Sequence, residues 1–119
     1  MGSYIIEYFR AGSGRVPAKE FIDSLDPRTQ AKFFAVKELL ESFGHKLPQP
    51  HAKYIGDKIF ELRFHGVEGG IRVLYFFIHL NRVIFTNGFI KKTNKTPKNE
   101  KAFSIKIRKQ FEEAARNAN

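Results

Sequence analysis

The sequence predicts an α+β domain. A small, mostly antiparallel twisted sheet carries a helical hairpin on one face and a C-terminal helix, in the order β-α-α-β-β-β-α. Three observations support this. Three apolar or alternating runs lie in series between residues 58 and 90, each closed by turn residues. Two helix starts marked by proline, Pro17 and Pro27, come before them. After them, Phe103, Ile107 and Phe111 repeat at helical spacing. With 119 residues and thirteen phenylalanines the chain has material for one core, so a single domain is expected over residues 1–119.

Tyr4-Ile-Ile-Glu-Tyr-Phe9 is short, β-branched and aromatic, and reads as a strand ended by Ala11-Gly-Ser-Gly14. No Gly-Lys-Ser/Thr follows those glycines, so they make a turn and not a phosphate loop. Pro17 starts a short helix with Phe21, Ile22 and Leu25, and Asp26-Pro27 caps and opens the next. There, Phe33, Val36, Leu40 and Phe43 repeat at spacings of three and four, with Gly44 placed to stop the helix. His45 to Gly56, with two prolines, reads as a connector. Lys58 to His65 alternates, with Phe60, Leu62 and Phe64 on one face and Glu61, Arg63 and His65 on the other. A turn at Gly66–Gly70 leads into Ile71–His79, apolar enough for a strand covered on both faces, with Arg72 its only fixed charge. Val83 to Ile90 is the last strand, and Thr96-Pro97 opens the C-terminal helix.

Composition narrows the chemistry. There are no cysteines, which removes disulfides, thiolate metal sites and cysteine nucleophiles. No histidine pair has ligand spacing and no Gly-x-Ser-x-Gly turn is present, so neither a metal site, a cofactor nor a serine hydrolase is expected. No apolar run approaches membrane-spanning length and no signal-peptide pattern opens the chain, so a cytoplasmic protein without membrane attachment is expected. The net charge is +9, and its placement is uneven. Residues 1–50 hold seven Lys/Arg against six Asp/Glu, whereas residues 51–119 hold fourteen against six. A clustered excess suits phosphate binding. An ordinary basic surface or an acidic protein partner would account for it equally well.

Three residues stand out within the sheet. Glu61 and Arg63 share the face opposite the core residues of their strand, as a solvent-facing pair commonly does. Arg72 is different: a lone arginine in Ile-Arg-Val-Leu-Tyr-Phe-Phe-Ile is costly unless it meets water, a carboxylate or a phosphate. A structural Arg72–Glu61 ion pair satisfies that requirement, and so does a site where a carboxylate and guanidinium groups converge on an anion. Tyr75, three residues on, is aimed at the other face and reads as core unless a bulge intervenes. The segment Gly88–Lys101 holds five lysines and one acidic residue, and forms a basic rim between ordered elements.

Taken together, Val16-Pro-Ala-Lys-Glu-Phe-Ile-Asp-Ser-Leu25, Phe60-Glu-Leu-Arg63, Gly70-Ile-Arg-Val-Leu-Tyr75 and Gly88-Phe-Ile-Lys-Lys-Thr-Asn-Lys-Thr-Pro97 resemble the RelE/ParE superfamily of bacterial toxins, closest to its phage-related HigB-like branch. The resemblance implies a RelE-like fold and the toxin of a type II toxin–antitoxin pair, a ribosome-dependent mRNA endoribonuclease acting in translation. A cognate antitoxin, of the helix-turn-helix HigA-like kind, would hold it inactive in a mixed complex with two toxin copies. Arg72 matches the arginine that RNA-cleaving members use near the scissile phosphate. Lys92 falls near their second basic residue, and Glu61 where some relatives carry a carboxylate base.

No tyrosine stands in the last helix, where the RelE type has a catalytic one. With the resemblance, the chemistry of 2′-OH attack implies Glu61 as general base, Arg72 on the phosphorane, Arg63 in positioning and Lys92 on phosphate or leaving group. Lys58, Lys91, Lys95 and Lys98 are the expected RNA contacts. Two other readings stand beside this one: a ParE-like inhibitor of DNA gyrase, and an RNA or ribosome binder with no enzymatic activity.

Overall fold

Proline and aspartate set the first two helices of the computed structural model, which describes residues 3–118. After strand β1 (Ile5–Tyr8), helix α1 (Pro17–Asp23) begins with proline in its first turn and buries Ala18 and Ile22. Helix α2 (Pro27–Phe43) is capped by Asp26, whose carboxylate accepts the Arg28 N–H at 2.8 Å. Its buried residues Thr29, Phe33, Val36 and Leu40 form one stripe. Gly44, at φ 51°, ends it in a conformation that favours glycine. A short 3₁₀ turn, Gly44–Lys46, follows.

The expected connector contains a strand. Ala52–Tyr54 forms β2 and pairs antiparallel with Phe60–Leu62 of β3 (Phe60–Gly66). Three residues between Pro50 and Gly56 are too few to show alternation, which is why the pattern gave no sign of it. Strands β4 (Gly69–Ile78) and β5 (Arg82–Ile90) complete a five-stranded sheet in the order β1-β5-β4-β3-β2. Only β1 runs parallel to its neighbour, β5; the other pairs are antiparallel. Helix α3 (Lys98–Asn117) closes the chain. The architecture is the predicted α+β one with β2 added.

Both sheet faces are covered, but unequally. The α1–α2 hairpin packs on Leu62, Phe64, Ile71, Val73, Tyr75 and Phe85. On the opposite face α3 lays Ile107 against Leu74, Phe76 and Ile84, with Phe103 and Phe111 flanking it. Phe33 is fully buried, with the rings of Phe64 and Phe85 5.9 and 5.8 Å away. Phe33→Ala should lower unfolding free energy by about 3–5 kcal/mol in denaturant titration. A loss below about 1 kcal/mol would mean the hairpin does not carry the core.

A register shift at Leu74/Tyr75 leaves Thr86 as the extra residue of β5. Thr86 Oγ1 lies 2.7 Å from Ser104 Oγ, and Asn87 Nδ2 donates to Glu100 Oε1 at 2.8 Å. The bulge thus fastens the start of α3 to the sheet. Tyr75 keeps its register with Phe60 of β3, stays in the hairpin core, and has its phenol pushed upward by burial.

The β3–β4 turn is clipped to α2. Glu68 accepts the Asp26 N–H and the Thr29 hydroxyl, each at 2.7 Å, and Thr29 Oγ1 accepts the Val67 N–H at 2.9 Å. Gly66 allows this close approach, since a Cβ there would stand 2.2 Å from Thr29 Cγ2. The Asp26 N–H, then the Thr29 hydroxyl, hold the Glu68 carboxyl below its ordinary value; the Arg82 hydrogen bond does the same for Glu7. Lowered folded values mean the unfolded chain takes up protons first. This contribution is therefore present above about pH 4.3 and is lost as pH falls through the folded values. The double variant Glu7→Gln, Glu68→Gln should show a shallower loss of urea midpoint between pH 5 and pH 3 than the wild type. An equally steep loss would refute the linkage.

Candidate active site

Alternation along β3 sends Glu61, Arg63 and His65 to the face away from the hairpin, because Leu62 and Phe64 are held in its core. In the β3–β4 register Arg72 stands directly opposite Arg63, and on β5 it is paired with Phe89. The Lys91 N–H donates to Gly70 O at 2.7 Å, which carries the pairing one residue past the end of β5. Helix α3 packs over the other end of this face. Here the roof is the segment between β5 and α3, and the Thr96 hydroxyl donates to Glu61 Oε2.

Glu61, Arg63, Arg72, Lys91, Lys95 and Thr96 line the resulting pit together with Phe89, Thr93 and Asn94. Glu61 Oε1 lies 3.4 Å from Arg63 Nε and 3.7 Å from Arg72 Nε. The side chains of Glu61 and Arg72 are 4% and 7% exposed, and that of Arg63 is 20% exposed. Both separations exceed a good charge-assisted hydrogen bond, so the carboxylate balances the arginines without saturating them. Arg72 Nη1 donates to Ile71 O at 2.9 Å, and Arg63 Nε is buried with no hydrogen-bond partner. Burial first, then the charge of Arg63, lowers the Arg72 pKa from its ordinary value, and Glu61 opposes that change. Two arginines directly opposite one another are unfavourable. With one carboxylate between them the site carries surplus positive charge and unfilled donors, as an anion site requires.

The residues expected from sequence divide into three groups. Glu61, Arg63, Arg72, Lys91 and Lys95 converge on the pit. Lys98 borders it, in a neighbouring depression with Lys53, Lys95, Lys101 and Glu61. Lys92 and Lys58 stand apart from it. Lys92 lies one residue beyond Lys91 and lines a separate groove with Phe21, Ile90 and Pro97. Lys58 sits in a positive-φ turn, with its ammonium 3.7 Å from Glu112 of α3. Thr96 enters the site although its sequence context marked only a helix start. Among the described residues no three His, Asp or Glu side chains gather as metal ligands, and no helix is long and apolar enough to cross a membrane.

The family model described as "Phage derived protein Gp49-like (DUF891)" matches residues 20–109, about three quarters of the chain. The chain belongs to that family. Gp49-like proteins are toxin-like, of the RelE/HigB type. The Gp49-like match runs from α1 into α3 and includes every residue of the pit. No curated protein matches the chain. As a member of a toxin-like family, it has an antitoxin as the expected kind of partner.

Proposed function

We propose that this Gp49-like chain is the toxin of a type II toxin–antitoxin pair, of the HigB-like branch, and cleaves mRNA on the translating ribosome. The observation that carries this reading is a buried carboxylate set between two opposed arginines at the floor of a lysine-rimmed pit. Such a set suits phosphodiester cleavage with RNA's own 2′-OH as nucleophile, since the attacking oxygen is already tethered next to phosphorus. Glu61 takes the 2′-OH proton. Arg72 and Arg63 stabilise the charge that builds on the phosphorane oxygens. A guanidinium is too weak an acid to serve the leaving group, so the 5′-oxygen draws its proton from an ammonium, and Lys91 stands beside Arg72 for that step. The products are a 2′,3′-cyclic phosphate and a 5′-hydroxyl.

As closed, the pit has a volume of only about 10 Å³, room for about one water molecule. A phosphate enters when the Thr93–Thr96 roof lifts and Thr96 releases Glu61. Lys95 and Lys98 then meet the RNA backbone. The protein works in the cytoplasm and is held inactive by a helix-turn-helix, HigA-like antitoxin, in a complex with two toxin copies. The antitoxin presents acidic or apolar surface to the basic face.

The test is to add purified protein to translating ribosomes and map new mRNA 5′ ends. Discrete new ends bearing 5′-hydroxyls are expected. Intact mRNA together with inhibited gyrase supercoiling would move the chain to the ParE-like reading. Intact mRNA with ribosome binding alone would make it a binder without catalysis.

A further inference from the structure

Beside the pit lies a larger cleft of about 550 Å³, which shares Arg63, Arg72 and Lys91 with it as lining residues. It exists because β2 pairs with β3 only as far as Leu62, so β3 from Arg63 onward has no strand on that side. The Arg63 N–H donates to His51 O at 2.8 Å, and beyond that bond α2 and the Pro50–His51 turn form the walls. Ala35, Val36, Pro50 and Phe64 supply an apolar lining, and Lys32, His51 and His65 a polar rim. The volume falls within the range of small-ligand sites, about 300–1,000 Å³. A nucleotide has the matching pattern: flat apolar ring faces, a hydrogen-bonding edge, and a phosphate for the arginines.

We infer that this cleft binds the nucleoside on the 3′ side of the cleaved phosphodiester, the one whose 5′-oxygen departs. The inference rests on the endoribonuclease reading above and adds the direction of the strand. In a displacement at phosphorus the entering and leaving oxygens stand on opposite sides, roughly in line. Glu61 borders the lysine depression formed by Lys53, Lys95 and Lys98 but does not line the cleft. Arg63, Arg72 and Lys91 line the cleft but not that depression. Along β3 the same order appears as Glu61, Arg63 and His65, in two-residue steps of about 6.6 Å. The base thus stands at one end, the phosphate grip in the middle and the cleft at the other end. The nucleoside bearing the attacking 2′-OH lies over the lysines, and the RNA runs 5′ to 3′ from there towards α2.

Nucleoside 5′-monophosphates mimic the leaving side, 3′-monophosphates the attacking side, and inorganic phosphate the grip alone. In NMR titrations of the full chain, 5′-monophosphates should shift the Val36 methyls and the His51 and His65 rings saturably. The 3′-monophosphates should act instead at Lys53 and Lys95, and phosphate only around Arg63 and Arg72. Ala35 is exposed on α2 at the cleft wall, so Ala35→Trp fills the cleft without entering the core. It should weaken 5′-monophosphate binding by about tenfold or more and leave phosphate binding unchanged.

The inference is overturned if 5′-monophosphates shift the cleft no more than phosphate does, or if Ala35→Trp binds them as the wild type does. RNA cleavage by the same two proteins separates this failure from failure of the functional reading. Wild type and Ala35→Trp cutting equally well removes the cleft assignment alone, whereas a wild type that cuts no RNA removes the reading beneath it.

Discussion

Arg72→Lys is expected to slow mRNA cleavage by about 10²–10³-fold and to abolish toxicity, with the fold retained. Lysine keeps a positive charge next to Glu61 and should be tolerated structurally. It lacks the planar fork, so it cannot place two N–H donors on developing phosphorane charge while also holding Ile71 O. Arg63 stays in place opposite, which makes the loss one of geometry and not of total charge. If Arg72 were only the structural partner of Glu61, lysine would keep the activity within a few-fold. Wild-type cleavage by a folded Arg72→Lys protein would therefore remove Arg72 from the chemistry.

Glu61→Gln carries the other large effect, on rate and stability together. The substitution keeps shape and leaves an oxygen for the Thr96 hydroxyl, but removes the group that accepts the 2′-OH proton. A loss of about 10²–10⁴-fold in cleavage is expected. It also leaves Arg63 and Arg72 opposed with no anion between them, at a cost of about 3 kcal/mol in unfolding free energy. Added phosphate or RNA should recover part of that stability, because an anion returns to the site. A stability loss accompanied by undiminished cleavage would make Glu61 a charge balancer and require another base.

Much of this arrangement was readable from residue pattern. The α2 stripe Phe33, Val36, Leu40 is buried as its period implies, and the near-continuous apolar run of β4 is covered on both faces. Alternation along Phe60–His65 placed Glu61 and Arg63 on one face because β3 is long enough for a period of two to be visible. Register at the ends of strands was not legible in the pattern. Moving by one residue changes the face, so Lys91 and Lys92 exchange environments according to where pairing stops, and the Gly70–Lys91 bond that decides it is made between strands. Alternation places Lys58 at the start of a strand, but Asp57 and Lys58 both take positive φ and make a turn that aims the lysine at α3. Thr96 meets Glu61 across 35 positions of sequence, a contact that no local pattern encodes.

If this site cuts RNA through the substrate's own 2′-OH, each cut depends on the hydroxyl of the nucleotide on its 5′ side. The most direct measurement replaces the nucleotide at a mapped cleavage position by its 2′-deoxy form, leaving the rest of the mRNA unchanged. Cleavage should vanish at that bond alone, while the matched all-ribose RNA yields a 2′,3′-cyclic phosphate there. Undiminished cutting at the 2′-deoxy position would mean that another nucleophile attacks the phosphorus, and would contradict the roles given to Glu61 and Arg72.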